Sequence, residues 1–108
     1  MSYKTGDILL VKFPFTDLKN YKKRPVLVVK SENELKDIVC FQITSNSKQT
    51  NLLPLENEDM DSSTLSLKSY IKYDKCFTIS TTIVEKKIAK VNTQLLSKLK
   101  KLFCLELF

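Results

Sequence analysis

Among 18 basic residues this chain keeps a single arginine, Arg24, set in Lys22-Lys23-Arg24-Pro25 ahead of the apolar run Val26-Leu27-Val28-Val29. Lysine supplies charge interchangeably, whereas a guanidinium presents a planar fork of donors that grips two oxygens of one phosphate. A lysine-rich chain with one arginine at the mouth of a strand points to a need for that fork there. The chain has no histidine, so the residue that usually moves protons near neutral pH is missing. Phosphate chemistry would then depend on charge stabilisation. A hydroxyl partner is available in Phe41-Gln42-Ile43-Thr44-Ser45. If the second and third strands pair antiparallel, Arg24 at the start of one lies beside Thr44 at the end of the other. The fork then holds two non-bridging oxygens and the hydroxyl donates to a third position.

Positioning those groups falls to short strands. Residues 8–13 follow the turn signal Gly6-Asp7 and end at Pro14, which has no ladder donor. Residues 17–23 read as a polar loop. Residues 26–30 form a second strand, whose consecutive apolar side chains imply burial on both faces. Residues 37–44 make a third strand and 45–51 a polar loop. Residues 52–55, interrupted by Pro54, read as an edge strand, and 56–63 as an acidic loop. Further strands are expected over 69–73, 76–80 and 87–91. Asn92 or Thr93 caps a closing helix in which Leu95, Leu96, Leu99, Leu102 and Phe103 recur at helical spacing. The fold class is mainly β, a small antiparallel barrel with a C-terminal helix, in one domain over 1–108.

Composition narrows the classes. No apolar run reaches the ~18 residues of a membrane span. The start, Met1 to Asp7, carries no cleavage-site pattern, which gives a cytoplasmic expectation. Cys40, Cys76 and Cys104 are odd in number and widely spaced, as expected of reduced core thiols and not of a disulfide framework or zinc site. No metal or cofactor is expected. Net charge is +6, which suits nucleic acid or an acidic protein partner, or else only a lysine-solvated surface. Among the loop residues, Phe15 and Tyr21 are placed to stack on unpaired bases, or to fold over the barrel rim. Lys22, Lys23 and Lys75 are candidate phosphate-steering charges, whereas Lys48, Lys86 and Lys87 read as solvated. Asp17 is the carboxylate nearest Arg24, an acid–base group or a turn cap.

The ordered set Gly6-Asp7-Ile8, Phe13-Pro14-Phe15-Thr16-Asp17, Lys23-Arg24-Pro25-Val26-Leu27-Val28 and Ile43-Thr44-Ser45 resembles the MazF/PemK family of toxin ribonucleases. The Phe-Pro-Phe-Thr-Asp form is similar to its PemK-like branch. Ser69-Tyr70-Ile71-Lys72, Asp74 and Phe77-Thr78-Ile79 continue the likeness. The resemblance implies an SH3-like barrel, a homodimer, an acidic antitoxin partner and metal-independent cleavage of single-stranded RNA to 2′,3′-cyclic phosphate and 5′-hydroxyl ends. It implies Arg24 and Thr44 as the catalytic pair, with Pro25 and Ser45 beside them in contact with RNA. Asn46 stands where the family has a base-reading glutamine. The loop before Arg24 lacks the glutamate that many members carry, so Asp17 is the substitute on offer. Two rivals follow from the same fold: a non-catalytic RNA- or DNA-binding barrel, and a gyrase-directed toxin that would use Phe103, Leu105, Leu107 and Phe108.

Overall fold

The computed structural model describes residues 2–14, 21–31, 33–63, 65 and 67–107. Seven strands form one antiparallel sheet: β1 (Asp7–Pro14), β2 (Tyr21–Lys30), β3 (Asp37–Thr44), β4 (Leu52–Leu55), β5 (Met60–Ser62), β6 (Ser69–Ser80) and β7 (Val84–Val91). Among the described residues one α-helix, α1 (Thr93–Leu107), follows β7. The strands lie in the order β4-β6-β3-β2-β1-β7-β5, every neighbouring pair antiparallel. Register shifts in β1·β7, β2·β3 and β3·β6 add twist and curl the sheet into a half-barrel.

Alternation along the strands builds two cores. Ile8, Leu27, Phe41, Ile43, Ile71 and Val91 face Leu95 and Leu99 of α1. Leu9, Val11, Val26, Val28, Ile38, Cys40 and Ile79 fill the other face. The unbroken apolar run of β2 is thereby explained, since Val26, Leu27 and Val28 are each fully buried, divided between the two clusters. Asn92 caps the helix, its Oδ1 accepting from Leu95 N at 2.9 Å. Phe103 of α1 meets Phe41 edge-to-face, ring centroids 5.1 Å apart, which fixes the helix over the sheet. Gly6, with φ +97, turns the chain into β1. Its N–H donates to Val28 O and its carbonyl accepts from Val91 N, so the turn joins three strands at a backbone angle that other residues rarely adopt.

Several boundaries differ from expectation. Residues 21–23 belong to β2 and not to the preceding loop, because the strand keeps pairing with β1 as far as Pro14↔Tyr21. Residues 56–63 hold a 3-10 turn (Asn57–Asp59) and β5, pinned by Glu56 N donating to the buried Asp59 carboxylate at 2.8 Å. The two strands expected over 69–80 are one long strand with a bulge. Of the cysteines only Cys40 is a core residue; Cys76 and Cys104 are exposed.

Candidate active site

The β2–β3 ladder runs from Lys30↔Val39 to Val26↔Gln42 and stops there. Beyond it β2 continues with β1, Val11 opposite Arg24, while β3 continues with β6, Tyr70 opposite Thr44. The same offset carried two residues further sets Arg24 against Thr44. Directly opposed residues of an antiparallel pair project to one face. That face is shared with Val26 and Cys40, so the apolar second core ends in Gln42, Arg24 and Thr44 where the two strands part to different partners. Both residues are half-buried. Thr44 is the last residue of β3, whereas Arg24 is the fourth residue of β2 and not its first, as the sequence had suggested.

No carboxylate among the described residues pairs with the Arg24 guanidinium. Asp37 lies at the far end of β3, opposite Ser80. At Thr44 the local chain makes the hydroxyl directional. Asn46 N donates to Thr44 Oγ1 at 3.1 Å, and Lys48 N donates to Asn46 Oδ1 at 3.0 Å. These bonds close side-chain turns at the strand end. With one lone pair of Oγ1 occupied, the Thr44 O–H is left to donate.

Around this pair the expected contacts divide. Lys22 is exposed and shares the Arg24 face by strand alternation, opposite Phe13. Lys23 points to the other face and ion-pairs Glu85 at 2.9 Å, a contact that holds the Glu85 carboxyl below its ordinary range. Pro25 is half-buried in β2 opposite Leu10. Ser45 and Asn46 are exposed directly after Thr44, and Lys75 is exposed on the β6 bulge. Tyr21 opens β2. Phe15, Asp17 and Phe108 lie outside the described residues. Lys87, read as solvated, instead pairs at 3.1 Å with the buried Asp7 carboxylate, which also accepts from Lys4 N.

Sequence reasoning missed a polar cluster one ladder step away. Lys72, opposite Gln42, is only 7 % exposed. Its Nζ donates to Thr50 O at 2.8 Å and pairs with Asp74 Oδ1 at 2.6 Å. Asn51 Nδ2 donates to Asp74 Oδ2 at 2.9 Å. The Lys72 bond, then the Asn51 bond, hold the Asp74 carboxyl below the usual carboxylate range. In the sequence Lys72 and Asp74 stood out only as part of the family likeness. Nothing there joined either residue to the other or to Asn51.

A curled seven-stranded antiparallel sheet, one packing helix and a net charge of +6 describe a small basic β barrel. Along residues 4–107 the chain matches the model of the PemK-like, MazF-like toxin of type II toxin–antitoxin systems, and it belongs to that family. Solved structures agree in fold. MazF of Deinococcus radiodurans in complex with MazE is 15% identical, with 98% of this chain and 97% of that chain covered at a TM-score of 0.78. An endoribonuclease in complex with its cognate antitoxin from a mycobacterial species is 14% identical, covering 93% of this chain and 87% of that one at 0.68. The Mycobacterium tuberculosis toxin MazF-mt6 is 19% identical, covering 90% and 91% at 0.67. No curated protein sequence matches the chain.

Proposed function

We propose that this toxin is an endoribonuclease that cleaves single-stranded RNA without a metal ion. What supports the reading is the β2–β3 register, which, if continued two residues past Val26↔Gln42, brings Arg24 opposite Thr44, a threonine whose Oγ1 accepts from Asn46 N and keeps its own O–H to donate. In the proposed step the RNA 2′-hydroxyl attacks the adjacent phosphorus. The 2′-O–P bond forms and the P–O5′ bond breaks, leaving a 2′,3′-cyclic phosphate and a 5′-hydroxyl. Arg24 neutralises the charge that grows on the phosphorane and Thr44 donates to one of its oxygens. Donors fixed before the reaction need no reorganisation during it, and each is worth about 3–4 kcal/mol in the barrier. Arginine stays protonated, so the proton of the 2′-hydroxyl leaves to water or to the Asp17 carboxylate, and the 5′ oxygen is reprotonated from the same sources.

Lys22, Lys75 and the +6 net charge draw RNA to this rim, and the same field favours an acidic antitoxin laid over it. The complexes among the structural neighbours support such a partner, and a homodimer is the assembly proposed. Purified protein should cleave a mixed, unstructured RNA pool in EDTA, and Arg24→Ala should abolish cleavage. Equal inertness of both proteins across the pool would remove the basis of the proposal.

A further inference from the structure

The buried lysine next to the site calls for explanation. An ammonium taken out of water is costly unless paired and hydrogen-bonded. An apolar residue opposite Gln42 would serve the core at less cost. What the lysine adds is a grip on the loop that follows Thr44. Between Phe41↔Cys76 and Gln42↔Lys72 the long strand carries three unmatched residues, Tyr73, Asp74 and Lys75. This bulge turns its polar groups toward residues 45–51. Lys72 Nζ holds Thr50 O, Asp74 holds the Asn51 side chain, and Tyr73 N donates to Asn51 O at 3.1 Å. Asn51 itself sits at φ 57, a left-handed angle that an asparagine tolerates. The far end of the loop is tied to Thr44 through Asn46. The loop is thus fastened at both ends while Ser45, Asn46, Ser47 and Lys48 stay exposed between the fastenings.

We propose that the Lys72–Asp74 pair in the β6 bulge is the positioning element that fixes the 45–51 loop and thereby selects the bases flanking the cleaved phosphate. This inference rests on the ribonuclease reading. Single-stranded RNA is read by hydrogen bonds to splayed base edges, and those contacts discriminate only when the donors and acceptors hold their places. Lys72 and Asp74 touch no reacting atom. They act through the loop, so their loss relaxes selection more than it slows cleavage of the preferred RNA.

The test maps cleaved ends in a mixed-sequence RNA pool for the wild type, Lys72→Met and Asn51→Gly. The Asn51 variant leaves the Lys72–Asp74 pair intact, allows the positive φ, and removes the side-chain tie to Asp74 while freeing the loop backbone, so it carries the test if Lys72→Met fails to fold. Preference for the favoured flanking bases should fall by about tenfold, the discrimination a few lost contacts supply, while kcat on the preferred RNA falls less than about threefold. Amide hydrogen exchange over 45–51 should quicken with the remaining strands unchanged. An active wild type whose motif survives in both folded variants overturns this inference alone. So does a uniform loss of cleavage with the motif intact. An inert wild type overturns the ribonuclease reading and this inference with it.

Discussion

Replacing Thr44 by valine keeps the volume and the branch at Cβ but removes the hydroxyl. Two interactions go with it: the 3.1 Å bond accepted from Asn46 N and the proposed donation to the phosphorane. The first is a small loss, because Asn46 is exposed and water takes over its N–H; about 0.5–1 kcal/mol of stability is the expected cost. The second is a preorganised donor in the transition state, and its removal should slow cleavage by roughly 10²–10³-fold. Thr44→Ser retains both bonds and gives up only the branch that limits χ1, so it should stay within about fivefold of the wild type, its stiffness partly lost. Single-turnover cleavage of a fluorophore–quencher RNA gives the rates, and urea unfolding of the same preparations gives the stabilities. Equal falls in kcat and kcat/KM for the valine variant would mark an interaction made in the transition state. A folded Thr44→Val enzyme within threefold of wild type, or a serine variant as slow as the valine one, would refute the reasoning.

Other perturbations separate chemistry from structure. Arg24→Lys keeps the charge without the fork and should fall between the wild type and Arg24→Ala in rate. Either variant should shift urea-derived stability by no more than about 0.5 kcal/mol, since no carboxylate among the described residues is left unpaired. Asp74 has its carboxyl pKa lowered in the fold. Its contribution is therefore present above the unfolded value near 4 and is lost as pH falls through the folded one, so the stability gap between wild type and Asp74→Asn should close in acid titrations. Leu99→Ala, at a position 2 % exposed under α1, should cost about 2–5 kcal/mol on denaturation. Burial pushes the Cys40 thiol up to about 12, so mass spectrometry after brief alkylation of native protein should find Cys104 modified and Cys40 spared.

Short apolar runs and turn signals were enough to foresee a small antiparallel β fold, because burial on both faces is written directly in consecutive apolar residues such as Ile8-Leu9 and Val26-Leu27-Val28. The helix was equally readable from its leucine spacing and the Asn92 cap. Boundaries were less so. Tyr21-Lys22-Lys23 reads as polar loop, yet its backbone pairs with β1 whatever its side chains, and polarity on an outward-facing strand carries no warning. The antiparallel pairing of β2 and β3 was legible from their short connection. The Lys72–Asp74–Asn51 cluster was not, because it depends on a bulge, and the register shift between Phe41 and Gln42 has no local composition to betray it. Burial of Lys72 is likewise a tertiary fact: a lysine in a strand is ordinarily an exposed one.

The chemistry of the cleaved ends tests the central claim most directly. An RNA oligonucleotide digested in EDTA should yield 2′,3′-cyclic phosphate and 5′-hydroxyl ends by mass spectrometry, and a single 2′-deoxy substitution at the scissile nucleotide should block the cut. Products ending in 5′-phosphate, or undiminished cleavage of the 2′-deoxy substrate, would contradict a mechanism in which Arg24 and Thr44 stabilise attack by the neighbouring hydroxyl.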